Sequence, residues 1–267
     1  MGLLQSAKYN HKANDLVDKS GMKAFTLLFI ITITFNTVYG QDLRDIHNPL
    51  KELKNGGLLI EDFEGEPIGS LPGGWYNRDL KRKANHPEEA LLYHYSIQEE
   101  YGNQFLYYNH TDARHLNLPL KERGNLNIYD TPILSWKWRV EEIPEGGNET
   151  GDDNDVAASI YVVFDMGRVA LFKKVPKSIR YTWSSTLKKG SDHSIFFGNQ
   201  KIVVLESGND KVGSGWMQVK RNIVEDYRRL FGDDPPKRPL AILILSDGDS
   251  TNENAIAYYD DLILLPE

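Results

Sequence analysis

Carboxylates, two arginines and one tryptophan carry the chemistry this chain can offer. From Pro239 to Leu265 the sequence passes from an apolar stretch, Leu240 to Leu245, through a loop holding Asp247 and Asp249, to a second apolar stretch beginning at Ala255. Strand, polar loop and strand at this spacing predict a long-looped β-hairpin with acids near its tip. Asp152, Asp153, Asn154 and Asp155 form another acidic loop, Glu61, Asp62 and Glu64 stand at the first predicted strand, and Asp260 and Asp261 lie on the last. The terminal strands of an antiparallel sandwich are often neighbours, so these last two groups can converge. Calcium takes about six to eight oxygens from such carboxylates and carbonyls. Solvated loop charge accounts for the same residues, and both readings stay open.

Trp183 sits in Arg180-Tyr181-Thr182-Trp183-Ser184-Ser185, among polar neighbours. It is the candidate stacking face for a sugar ring, with Arg139, Arg180, Asp247 and Asp249 as the groups to bind hydroxyls. Trp136 and Trp138 share an alternation face with Leu134 and Val140, which predicts core packing for both. Glycoside hydrolysis needs two carboxyl groups about 5 to 9 Å apart, and Asp247, Asp249, Asp260 and Asp261 are available. A lyase would set a neutralising Arg139, Arg180 or Asn222 beside a Tyr181 or His193 base. No H-E-x-x-H, nucleophile elbow, phosphate loop or EF-hand spacing occurs, and there is no cysteine. No catalytic residue is assigned.

The formal charge of −7 argues against nucleic acid, whose phosphates need clustered Lys and Arg. Hydrophobic residues make up 40% and aromatics 11% of the chain, enough for a large core. Apolar and β-branched runs recur between turn clusters: Leu58–Phe63, Leu91–Ser96, Phe105–Tyr108, Ile133–Val140, Ala157–Phe164, Arg180–Ser185, Ile202–Ser207, Trp216–Arg221, Leu240–Leu245 and Ile256–Leu264. They predict an all-β, antiparallel β-sandwich. One short helix is expected, capped by Asn222, with Glu225 three residues on and Gly232 as terminator.

Lys23 followed by the apolar run Ala24 to Phe35 and by small residues up to Gly40 reads as a secretory signal peptide cleaved near Gly40. The run is too short to span a bilayer, which needs about 20 residues. Met22 then reads as the true start, with residues 1–21 a gene-start artefact, 22–40 the signal, 41–56 a leader or linker, and 57–267 one β-sandwich domain. Lack of cysteine closes both disulfides and a lipoprotein anchor. The expectation is a secreted or periplasmic bacterial protein without a stable membrane span.

The segments Glu61-Asp62-Phe63-Glu64, Leu134-Ser135-Trp136-Lys137-Trp138-Arg139-Val140 and Gly151-Asp152-Asp153 carry a resemblance. So do Glu206-Ser207-Gly208, Arg221-Asn222-Ile223-Val224-Glu225-Asp226-Tyr227, Ser246-Asp247-Gly248-Asp249-Ser250 and Ala257-Tyr258-Tyr259-Asp260-Asp261-Leu262. In this order they resemble the bacterial domain-of-unknown-function family 3047 over roughly residues 58 to 265, a family that implies no activity. A looser resemblance is to jelly-roll (galactose-binding-like) carbohydrate-binding modules. That likeness implies a structural Ca2+ joining the first and last strands, with Glu61, Glu64 and Asp261 as metal ligands.

The reading is an exported, non-catalytic sandwich that binds carbohydrate or another envelope polymer. The rivals are a jelly-roll glycan lyase or hydrolase and a structural envelope protein.

Overall fold

The computed structural model describes residues 49–170 and 173–267. The expected signal peptide and leader up to residue 48 lie outside the described residues. Among the described residues, thirteen strands form two sheets. One sheet holds β1 (Lys51–Glu52), β2 (Leu58–Glu61), β3 (Tyr95–Glu100), β4 (Asn103–His110), β6 (Ile133–Glu142), β11 (Met217–Asn222) and β13 (Ala255–Leu265). The other runs β5 (Leu116–Pro119), β12 (Ala241–Asp247), β7 (Val156–Ala170), β8 (Lys173–Ser184), β10 (Gln200–Ser207) and β9 (Asp192–Ile195). The pairs are antiparallel except β8 with β10, which is parallel. The protein is all-β with short helices: α1 (Pro87–Ala90) and α2 (Ile223–Phe231).

Strand β13 organises the first sheet. Its N-terminal half pairs with β4 and its C-terminal half with β2, while β6 follows it along the other side. First and last long strands are therefore neighbours. Period-two alternation sends Trp136, Trp138 and Val140 of β6 inward, and Ile179, Tyr181 and Trp183 of β8 inward from the opposite sheet. Trp136 meets Tyr181 with ring centroids 5.5 Å apart, and Trp138 meets Trp183 at 6.1 Å. These rings form the middle of the core.

Helix α2 has the expected ends. The Asn222 side chain accepts from the backbone of Val224 and Glu225, and Gly232 closes it at φ 73°. Three expectations change. The sheet reaches back to Lys51, ahead of the boundary at residue 57, because Leu50 is buried and β1 pairs with β2. The third strand is Tyr95–Glu100 and not Leu91–Ser96, since α1 turns the chain and leaves Leu91 in solvent. Strands β5 and β9 are additions, one ending in proline and the other polar, as edge strands can be.

Candidate functional site

Alternation on β8 sends Arg180, Thr182 and Ser184 to the outer face of the second sheet, opposite Tyr181 and Trp183. Ser159 and Tyr161 of β7, and Leu243, Leu245 and Asp247 of β12, share that outer face. It is nevertheless buried, because the loop before β7 folds over it. Glu149 from this loop accepts hydrogen bonds from Thr182 Oγ1 (2.7 Å) and Ser184 Oγ (2.6 Å). Between loop and sheet lies a cavity of about 150 Å³, lined by Arg180, Tyr161, His115, Glu149, Asn154 and Gln200.

Arg180 is 4% exposed. Its Nε donates to Ser159 Oγ at 2.9 Å and its guanidinium carbon lies 5.2 Å from the Tyr161 ring centre, but Nη2 is buried without an acceptor. A buried donor left unmade costs about 1–3 kcal/mol, more when charged. Burial, followed by the charges of Arg78 and Arg180, drives His115 down to about 3. Burial pushes Tyr161 up to about 12. Phe196, which lines the cavity, and the following Phe197 hold φ of 50° and 57°, a left-handed conformation that bulky side chains adopt at a cost of about 1–3 kcal/mol.

Beside this cavity the acids of two loops meet. Asp155, at the foot of β7, and Asp247 are fully buried, while Asp249 is exposed. One carboxylate oxygen from each lies within 4.8 Å of the others. Asp155 accepts from Ser250 N (3.1 Å), Thr251 N (2.6 Å) and Thr251 Oγ1 (2.6 Å). Burial first, then the Asp249 and Asp155 charges, push Asp247 up to about 8, against the pull of the Asp249 amide and Arg180. Gly248 is required here, because a β-carbon on it would stand 1.9 Å from the Glu253 carbonyl oxygen. At the same end of the sandwich His94 and His110 stack at 3.5 Å, with Asp112 bonded to His94.

The structure thus brings Arg180, Asp247 and Asp249 together and leaves Arg139 and Trp183 apart from them. Trp183 is 1% exposed and its indole N–H donates to Gly208 O at 3.1 Å. The expected stacking face is corrected: the polar neighbours point outward, and period two turns the tryptophan into the core. Arg139 lies on the outer face of the opposite sheet, in a cross-strand row with Tyr107, Tyr258 and Trp216. It sits 3.8 Å from the Tyr258 ring centre and is held by both oxygens of Glu100 at 2.9 Å. Its charge is already answered.

The three carboxylates that the jelly-roll likeness singled out for a metal are drawn to separate partners. Glu61 accepts from Trp75 Nε1 (2.8 Å) and Phe63 N (3.0 Å), Glu64 accepts from Gln104 N (3.0 Å), and Asp261 pairs with Lys137 at 2.6 Å. Asp260 instead bonds Asn103. Sequence reasoning assigned no role to Glu149, His115 or Tyr161, and read Asp155 only as one of the loop oxygens open to calcium or solvent. A usable signal existed in the polar alternation Arg180, Thr182, Ser184 interleaved with Tyr181 and Trp183, opposite Ser159.

Among solved structures, the chain is similar to a family 11 carbohydrate-binding module of the cellulosomal cellulase Lic26A-Cel5E of Clostridium thermocellum. Identity is 10% over 80% of this chain and 97% of that one, with a TM-score of 0.38. It is also similar to a family 30 module of the cellulase Cel9D-Cel44B of Clostridium thermocellum, at 12% identity over 79% and 98%, TM-score 0.38. A cellulose-specific module, CBM28, aligns at 14% identity over 65% and 82%, TM-score 0.33. Scores this low transfer nothing about what is bound. No curated protein matches the chain. The family model described as "Protein of unknown function (DUF3047)" matches residues 74–263, and the chain belongs to that family.

Proposed function

We propose that the protein is an exported, non-catalytic β-sandwich that binds a carbohydrate or another polymer of the bacterial envelope through the Arg180 cavity. One observation carries the reading: a buried guanidinium lines a cavity and keeps one donor, Nη2, without an acceptor. A carboxylate or hydroxyl of a bound sugar supplies that acceptor, with Gln200, Asn154 and Glu149 available to the remaining hydroxyls. At about 150 Å³ the cavity is smaller than the roughly 300–1,000 Å³ of ordinary ligand sites. It accommodates one unit or substituent of a longer chain.

The electrostatics favour binding over proton abstraction. Tyr161 at about 12 and His115 at about 3 both lie far from neutrality, where an effective base titrates. One observation favours the second reading, a lyase or hydrolase: Asp247, next to Arg180 and raised to about 8, holds a proton at neutral pH as a general acid does. Affinity electrophoresis through gels containing polygalacturonate, alginate or mixed-linkage β-glucan tests the first reading. Retarded migration in at least one gel is expected, without new ultraviolet absorbance from unsaturated uronate and without reducing ends. Unretarded migration in all three removes the proposal, and product formation replaces it with the second.

A further inference from the structure

The hairpin tip joining β12 to β13 holds an unmet group of its own. Asp247 Oδ1 accepts the Asp249 amide at 3.2 Å, but Oδ2 is fully buried and without a partner. Asp247 belongs to the set in which Asp155, Asp247 and Asp249 each bring a carboxylate oxygen within 4.8 Å of the others. A buried carboxylate with one oxygen unpartnered, clustered with two further carboxylates, is an arrangement that proteins keep when a cation or a proton completes it.

The local charge favours a dication. With a cation displacing the Asp247 proton, three carboxylates act on this spot and one guanidinium, Arg180, opposes them, which leaves two negative charges. Asp155 is fixed in its acceptor role by three donors from Ser250 and Thr251, and a carboxylate has further lone pairs to offer. The turn is rigidly specified: Gly248 donates to Thr111 O at 3.0 Å and accepts from Glu253 N at 3.1 Å. Asp249 faces solvent, so water can fill the outer coordination positions. All the ligand atoms are oxygen, which suits hard cations of variable coordination number more than zinc.

We infer that Asp155, Asp247 and Asp249 form a binding site for one calcium-class divalent cation, with Asp247 Oδ2 its buried ligand and Asp249 its solvent-side ligand. The site is distinct from the pairs at Glu61, Glu64 and Asp261. It does not depend on the glycan reading, since cation binding is measured without any polymer.

The full chain, stripped with EDTA and dialysed, is titrated calorimetrically with CaCl2 and separately with MgCl2, and melted in calcium and in chelator. Calcium binding at one site is expected, with a melting temperature higher in calcium than in EDTA. Asp249→Asn, an exposed change that leaves folding intact, should weaken calcium at least 10-fold. Asp247→Asn should abolish both the heat and the thermal shift. The inference is overturned by absence of heat and shift in the wild type, or by both variants binding as the wild type does. It is equally overturned if Glu61→Gln or Asp261→Asn, and not the loop variants, removes the calcium.

Discussion

Replacing Arg180 by methionine separates stability from binding at the cavity. The variant loses a charged hydrogen bond to Ser159 Oγ, worth about 1.5–3 kcal/mol, and a desolvated cation–π contact with Tyr161 of up to about 2 kcal/mol. It also removes the unanswered Nη2, a burden of about 1–3 kcal/mol, and keeps an unbranched apolar chain against the Tyr161 ring. Ser159 Oγ is not orphaned, because Thr182 Oγ1 stands 3.2 Å away. The opposing effects place the change between about 1.5 kcal/mol of stabilisation and about 4 kcal/mol of destabilisation, a near-cancellation often found when a buried ion is replaced by an apolar group of similar volume. The bound polymer, by contrast, loses a charged hydrogen bond, so affinity should fall about 10- to 100-fold. Urea unfolding followed by tryptophan fluorescence gives the first quantity, and affinity electrophoresis the second. Destabilisation beyond about 4 kcal/mol would make Arg180 a structural ion and refute the reasoning. Unchanged retardation in the polymer gel would do the same.

Other consequences follow from the same geometry. Tyr259 Oη bridges Ser246 Oγ (2.7 Å), Ser159 N (3.3 Å) and Leu245 O (3.1 Å) in the core, so Tyr259→Phe should cost about 1–3 kcal/mol in a urea melt. Asn222→Ala removes the α2 cap and should cost about 1 kcal/mol; an unchanged midpoint would mean the helix needs no cap. Burial holds His115 at about 3 against its ordinary 6.5, so the unfolded chain takes up this proton first. The group's contribution is complete above pH 6.5 and is lost as pH falls towards 3. Against wild type, His115→Gln should flatten the decline in stability between pH 6.5 and 4; a parallel profile would show that His115 does not resist protonation.

The class and the hairpin were legible because alternation writes itself into local sequence. Leu134, Trp136, Trp138 and Val140 announce an inward face, and Asn222 with Gly232 announces both ends of a helix. The Arg180 cavity was not legible for two reasons. A strand buried on both faces looks the same whether its outer polar residues meet water or a folded-over loop, as with Thr182 and Glu149. Separation in sequence also hides convergence: Asp155 and Thr251 are 96 residues apart yet bonded at 2.6 Å. Trp183 misled because polar neighbours in a strand lie on the opposite face, so they argue for its burial as much as for its exposure.

The margins of the second sheet have a consequence for how the protein keeps company at high concentration. Both outermost strands, β5 and β9, are four residues long. The first ends at Pro119, which has no N–H to offer a newcomer, and the second carries Asp192, tied to Arg229 of the nearby helix. Such margins are poor templates for a further strand. At these two margins the second sheet is thereby protected from adding copies of itself edge to edge. Lengthening β9 with β-branched residues would open the sheet to filament growth.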